Sequence, residues 1–197
     1  SLSVYGKVTD EVGVLASYVN VKQNSVEDGD GEDIIAPGAD GREVSTEQSL
    51  TFVKVNADLT ENQQLTLSYE KRDEEGYFPK QTNWAPPLAG APLIFTEGER
   101  ETFVLNHAWY ASDLVNLETT IYSTESSLRR ELYTWIAEIK TTGFDIRNTS
   151  DIGAHSLTYG VEHKNDDLSA FSYGDFGGIY DEEGKVSGAY FQDHWQA

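Results

Sequence analysis

The 197-residue chain holds few residues whose types and spacing could do chemistry. Its four histidines, His107, His155, His163 and His194, are scattered, and neither His-Glu-x-x-His nor Gly-x-Ser-x-Gly occurs. With no cysteine at all, a disulfide scaffold, a Cys-ligated zinc site and thiol catalysis are excluded. The one dense cluster is Glu27-Asp-Gly-Asp-Gly-Glu-Asp33. Carboxylates at near-alternate positions, here Asp28, Asp30, Glu32 and Asp33, could converge on a hard cation such as calcium, but the closing glutamate of a full calcium loop is missing. Catalysis is not expected and no cofactor is called for. What remains is recognition by loops.

Charge narrows the partners. There are 34 acids against 14 bases, a formal net charge of −20. Lysine and arginine form no cluster, so nucleic acid, which needs a basic footprint, is not an expected partner. Three acidic stretches, 22–45, 73–101 and 164–185, together carry −13 of the total. They could draw cations, or divalent ions bridging to anionic headgroups, or they could simply keep the chain solvated. No stretch approaches the roughly 20 apolar residues of a membrane-spanning helix. With no methionine present, Ser1 is expected to lie inside a longer chain.

Positions for these residues come from a period of two. The 23 aromatic residues and frequent β-branched residues argue against disorder. Nine strands are expected: Leu2–Thr9, Val12–Val21, Glu47–Leu59, Gln64–Arg72, Glu101–Ala111, Val115–Thr124, Arg130–Arg147, Ala154–His163 and Val186–Trp195. One parity carries Val53, Val55, Leu65, Leu67, Phe103, Leu105, Leu117, Ile121, Leu157, Tyr159 and Val161. The other carries Lys7, Lys54, Asp58, Glu70, Glu118, Asp145 and Glu162, which are costly against lipid and ordinary against water. Strand seven changes parity between Ile139 and Phe144, which predicts a β-bulge near Thr141-Thr142-Gly143.

The connections between these strands alternate short and long across all eight links. Antiparallel strands that span a membrane return to the same two sides in turn, with short periplasmic turns and long extracellular loops. A soluble sandwich mixes its loop lengths more freely. Trp109 and Tyr110, Phe144 and Trp195 fall near short-turn ends, where membrane barrels carry aromatic girdles. The fold class is therefore all-β: an antiparallel up-and-down transmembrane β-barrel segment of about nine strands. Nine is odd, and a bacterial single-chain barrel closes with an even number, so residues 1–197 read as one partial barrel domain.

Three segments resemble TonB-dependent outer-membrane receptors, most nearly the branch that takes up haem, haemoglobin or related iron sources. They are the hairpin from Gly143 to Glu162, the Tyr-x-Gln-Asp strand within Gly188-Ala-Tyr-Phe-Gln-Asp-His-Trp195, and the hairpin from Leu114 to Tyr122. The resemblance implies an outer-membrane location in a Gram-negative bacterium, surrounding lipid as a partner, and a TonB protein engaged through a plug domain outside this chain. It also implies an iron-containing small molecule or haem protein as ligand. The barrel would serve as scaffold and lumen wall. The alternatives are a passive porin or adhesin-like barrel, and a soluble β-rich binding module.

Under that reading the ligand-facing candidates lie in the long loops. Tyr77, Phe78 and Trp84, beside the Pro-rich run to Phe95, are expected to contact ligand or to pack a small cluster of their own. Of the histidines only His163, placed at the extracellular end of its strand, could reach iron in a haem-type ligand.

Overall fold

In the computed structural model, which describes residues 1–35, 37–38, 40–79, 92–131, 135–172 and 178–195, the chain is one sheet. Nine strands follow one another: β1 Leu2–Lys7, β2 Val12–Gln23, β3 Ser45–Thr60, β4 Gln63–Pro79, β5 Leu93–Ser112, β6 Val115–Arg130, β7 Trp135–Ile152, β8 His155–Ser172 and β9 Gly178–Trp195. Their spatial order is their chain order, and every neighbouring pair is antiparallel. The expected strand count, direction and up-and-down order all hold.

The pairing fixes the faces. Cross-strand partners place Ala16, Val53, Tyr69, Phe103, Ser123, Thr142, Asn165 and Lys185 on one side of the sheet. The same side carries Val14, Val55, Leu67, Leu105, Ile121, Phe144, His163 and Ser187 in the next row. All seven charged residues expected on the opposite parity do lie on the opposite face. There, short polar side chains bond across the strands: Thr66 donates to Asn56 at 2.8 Å, Thr120 to Asn106 at 2.8 Å, and Arg100 to Glu70 at 2.7 Å.

No second layer covers the apolar face among the described residues. Among the described residues the buried apolar side chains are Leu93 and Ile94, 7% and 3% exposed, and both sit at the far end of β5. Phe103, Ile121 and Val161, central in their strands, remain 44%, 48% and 47% exposed. An uncovered apolar band of this extent, with β2 to β8 each paired on both sides and β1 and β9 on one, suits lipid and is penalised by water.

The strands run longer than their alternation indicated. β5 begins at Leu93 rather than Glu101, β4 continues to Pro79, β8 reaches Ser172 and β9 begins at Gly178. Expected loops over 73–100 and 164–185 are thus largely strand, at 73–79, 93–100, 164–172 and 178–185. At 73–76, 96–100 and 164–167 both faces of the extensions are polar, and at 77–79 and 93–95 apolar residues stand in unbroken runs. The period of two therefore vanishes from hydropathy while the backbone goes on pairing. Cross-strand ion pairs occupy the rows instead: Lys71 with Glu99 at 3.0 Å and Glu101 at 3.2 Å, and Arg129 with Glu97 at 3.4 Å. The link lengths are 4, 21, 2, 13, 2, 4, 2 and 5 residues. They still alternate, although the first short link now equals the one between β6 and β7.

The bulge expected near Thr141-Thr142-Gly143 does not form. β7 pairs without a register shift from Trp135 to Thr149 with β6, and from Ile136 to Ile152 with β8. The parity change has another cause. Phe144 and Ile146 lie within the apolar band, whereas Trp135, Ala137 and Ile139 lie beyond it on the opposite face, where lipid no longer sets the pattern. Register shifts occur elsewhere, between Asp58 and Thr60 and between Tyr110 and Ser112, each beside a short turn. Phe144 also proves to be mid-strand, because the short turn lies at Gly153-Ala154 rather than from Asn148 onward. Trp109 and Trp195 do sit at the short-turn end, Trp195 stacked on His155 with ring centres 6.4 Å apart.

The two faces should respond in opposite ways to charge. Ile121→Lys is expected to destabilise the folded protein in a bilayer by about 2–4 kcal/mol, against less than about 1 kcal/mol for its neighbour Thr120→Lys on the polar face. Urea unfolding from phospholipid vesicles measures both, and equal costs would contradict the assignment of faces.

Candidate functional site

The long-loop end is where the chain could meet a ligand. Along β5 the apolar-face parity runs Trp109, His107, Leu105 and Phe103, then turns to Glu101, Glu99 and Glu97. β4 does the same, passing from Leu65, Leu67 and Tyr69 to Lys71, Asp73 and Glu75. The change marks the edge of the lipid band. Beyond it, a shallow groove of about 670 Å³ crosses the sheet, lined by seven carboxylates, among them Glu47, Asp73, Glu75, Glu97 and Glu99, against the single guanidinium of Arg129.

Nearby cations offset part of this charge. Lys71 bridges Asp73 at 3.6 Å as well as Glu99 and Glu101. Lys22 pairs with Glu47 at 2.7 Å where β2 gives way to its long loop. The Lys22 ammonium and the Asn20 amide beside it hold the Glu47 carboxyl below its ordinary range, and Glu47 in turn raises Lys22. Both side chains are exposed, so this pair orients the loop's exit more than it stabilises the fold.

The 24–44 link is partly ordered by its own backbone. Asp28 N–H donates to Glu32 C=O at 2.8 Å and Ile34 N–H to Val26 C=O at 2.8 Å, forming a small hairpin. Gly31, with φ of 84°, supplies the left-handed residue of its turn. The Asp28 carboxylate accepts the N–H groups of Asp30 at 2.9 Å and Glu32 at 3.0 Å. These bonds, that from Glu32 first, hold its pKa below the ordinary value. The acidic run expected as a cation loop is therefore a turn in which Asp28 caps backbone. Among the described residues no three acidic or histidine side chains gather in a geometry that could hold a metal ion, so Asp28, Asp30, Glu32 and Asp33 are neighbours without converging.

Tyr77 and Phe78 are strand residues at the end of β4, not loop residues as expected. They pair with Phe95 and Ile94, and the Tyr77 and Phe95 rings lie 5.2 Å apart at 55°. The Arg42 guanidinium, reaching from the 24–44 link, sits 4.8 Å from the centre of the Tyr77 ring. The aromatic pair thus tethers the preceding link to the β4–β5 hairpin, and beside it lie the buried Leu93 and Ile94. Trp84 lies outside the described residues.

His163 is not at the end of its strand. β8 continues beyond it to Ser172, and the ring faces the apolar side beside Phe144, with ring centres 5.9 Å apart. Its Nδ1 is 2.8 Å from Ser187 Oγ. Distance along the strand separates it from Tyr77, so the candidates do not form one site.

One polar cluster escaped the sequence reading. Asn148, 9% exposed, donates through Nδ2 to Leu114 C=O at 3.0 Å and to Tyr159 Oη at 2.9 Å, while its Oδ1 accepts Asn116 N–H at 3.0 Å. It binds β6, β7 and β8 together at the short-turn end. Its residue type and its Thr-Ser-Asp sequel suggested a turn, and nothing local distinguishes the two roles.

Two outcomes follow for this end of the molecule. Asp28 has a depressed pKa when folded, so its caps are fully made above the ordinary value of 3.8 and are lost as pH falls through the lower, folded value. Amide exchange should show Glu32 equally protected at pH 6 and about pH 4.5, unprotected at both in Asp28→Ala, and losing protection in the unaltered protein only at stronger acid. Arg42→Ala should free the 24–44 link, raising cleavage by a glutamate-specific protease between Glu27 and Glu43 by about two- to fivefold, the scale of one exposed cation–π contact. An unchanged rate would show that Tyr77 does not tether the link.

No family model and no curated protein matches the sequence. Among solved structures, the chain is similar to the outer membrane transporter YddB from Escherichia coli, with a TM-score of 0.60 and 10% sequence identity over 98% of this chain. It spans 31% of that transporter's length. At this identity the likeness is one of fold: nine antiparallel strands in chain order, arranged as in the wall of an outer-membrane β-barrel and here not closed on itself.

Proposed function

We propose that the chain is part of the barrel wall of an outer-membrane, TonB-dependent transporter that takes up an iron source, whether haem, haemoglobin or a ferric siderophore. The observation that carries the transport reading is the one-layer sheet whose apolar face has no protein cover and whose other face holds a continuous set of charged and hydrogen-bonding side chains. Such a sheet is stable with lipid on one side and water on the other, which is the wall of a pore or transporter. TonB dependence and an iron ligand rest on the resemblance of Gly143–Glu162 and Gly188–Trp195 to receptors of that kind.

In this mechanism the chain works as a non-enzymatic scaffold. Outer-membrane lipid packs on the Phe103, Ile121 and Phe144 face. A plug domain elsewhere in the protein occupies the lumen against the polar face and engages the TonB protein, and ligand is captured at the long-loop end. The acidic groove there continues the lipid-side face, because Glu47, Asp73, Glu75, Glu97 and Glu99 share the parity of Phe103, so its charge acts around the rim rather than in the lumen.

Growth on haem or a ferric siderophore as sole iron source, in strains with and without the gene and with and without TonB, tests the reading. Loss of growth on one such source in both deletions is the expected result. Growth unaffected by removing TonB, together with a steady open-channel conductance of the purified protein in planar bilayers, would replace it with a passive porin.

A further inference from the structure

Alternation of apolar and polar residues sets the faces of a strand but leaves its register open. A slip of one residue turns every side chain to the wrong side, while a slip of two preserves both faces. The two-residue turn at Gly153-Ala154 fixes β7 on β8. The β6–β7 and β8–β9 pairs are joined by longer links of 4 and 5 residues, their strands are long and their polar faces are chemically alike. Something else must reject the two-residue slips there.

Two tyrosines lie where they could do this. On the polar face Tyr122 of β6 pairs with Gly143 of β7, and Tyr190 of β9 pairs with Gly160 of β8. Each ring lies over its glycine. A Cβ at Gly143 would stand 2.5 Å from Tyr122 Cζ, and one at Gly160 would stand 2.6 Å from Tyr190 Oη. Because Gly160 offers no side chain, Tyr190 crosses β8 entirely and donates to Asp145 of β7 at 3.1 Å. The residues two places away on the same face are Thr141 and Asp145 around Gly143, and Thr158 and Glu162 around Gly160. Any of these beneath a ring would occupy the space the ring fills.

We propose that Tyr122 over Gly143 and Tyr190 over Gly160 are register keys, which select the native pairing of β6 to β9 from the other registers of the same parity as the sheet assembles. The inference rests on the fold alone and stands whether or not the transport reading holds. A competing explanation is that the glycines serve only the backbone, since a Cβ at Gly160 would also lie 2.6 Å from Ile146 C=O.

Disulfide trapping separates the two, and the absence of native cysteine makes introduced pairs unambiguous. In the whole protein folded into phosphatidylcholine vesicles, V161C/A189C reports the native register, and V161C/F191C and V161C/S187C report the two slips. The unaltered background should cross-link the first pair alone, and Tyr190→Ala should admit the slipped pairs. Tyr190→Phe, which keeps the ring and loses the bond to Asp145, should retain the native pair. Gly160→Ala should lower the native cross-link about tenfold more with Tyr190 present than with Tyr190→Ala, where only the contact with Ile146 C=O remains, a coupling of the size seen between contacting residues. If Gly160→Ala prevents folding outright, the Gly160→Ala/Tyr190→Ala pair should restore it. An equal loss in both backgrounds, no rescue by the double variant, or a strictly native cross-link in Tyr190→Ala would overturn the proposal.

Discussion

Everything in this molecule follows from the need to satisfy backbone hydrogen bonds without water. In hydrocarbon an unpaired N–H or C=O costs several kcal/mol, and a sheet meets the requirement only by pairing each strand along its whole spanning length. Strands β2 to β8 do so on both sides in simple succession, with no crossover and no strand skipped, and β1 and β9 do so on one side each. Once the backbone is satisfied this way the side chains need no common core. Among the described residues the scarcity of buried apolar side chains, a sign of instability in a soluble domain, fits lipid as the solvent on one face.

That constraint also decides what could be read from the sequence. Strand number, direction, the two faces and the short turns were legible, because in the spanning half each residue's polarity reports which side it faces. Val53, Leu67, Phe103 and Ile121 could hardly be placed otherwise. Beyond the band the same code falls silent. Glu97, Glu99 and Glu101 share a face with Phe103, and Trp135 and Ile139 stand opposite the face of Phe144. Strand ends were therefore placed too early, and a parity change that only marked the edge of lipid suggested a bulge. The candidate site suffered most. Tyr77, Phe78 and Asp28 were visible as unusual residues, but their roles depend on Phe95, Arg42 and the amide of Glu32, partners that no local pattern announces.

The extension of the strands past the lipid carries its own physical requirement. Outside the membrane a paired ribbon competes with water for its backbone, and the rows of acids would repel one another across strands. Individual exposed ion pairs contribute little. Lys71, however, lies among three carboxylates, and Arg100 and Arg129 each answer a glutamate on a neighbouring strand. Placing each cation between like charges makes the antiparallel register the arrangement with least repulsion, so that electrostatics takes over the ordering role that lipid plays below.

A consequence concerns where recognition can reside. The paired ribbons and the tethered 24–44 link give the outer half a frame that holds its shape without ligand. Tyr77 packs on Phe95 and under Arg42, and the Asp28 carboxylate accepts backbone amides, so each has a role within the frame itself. What the frame leaves exposed is its acidic groove. Glu47, Asp73, Glu75, Glu97 and Glu99 share the face of Phe103, so the groove continues the lipid-side surface past the apolar band. Its charge acts on what surrounds the rim rather than on the lumen side.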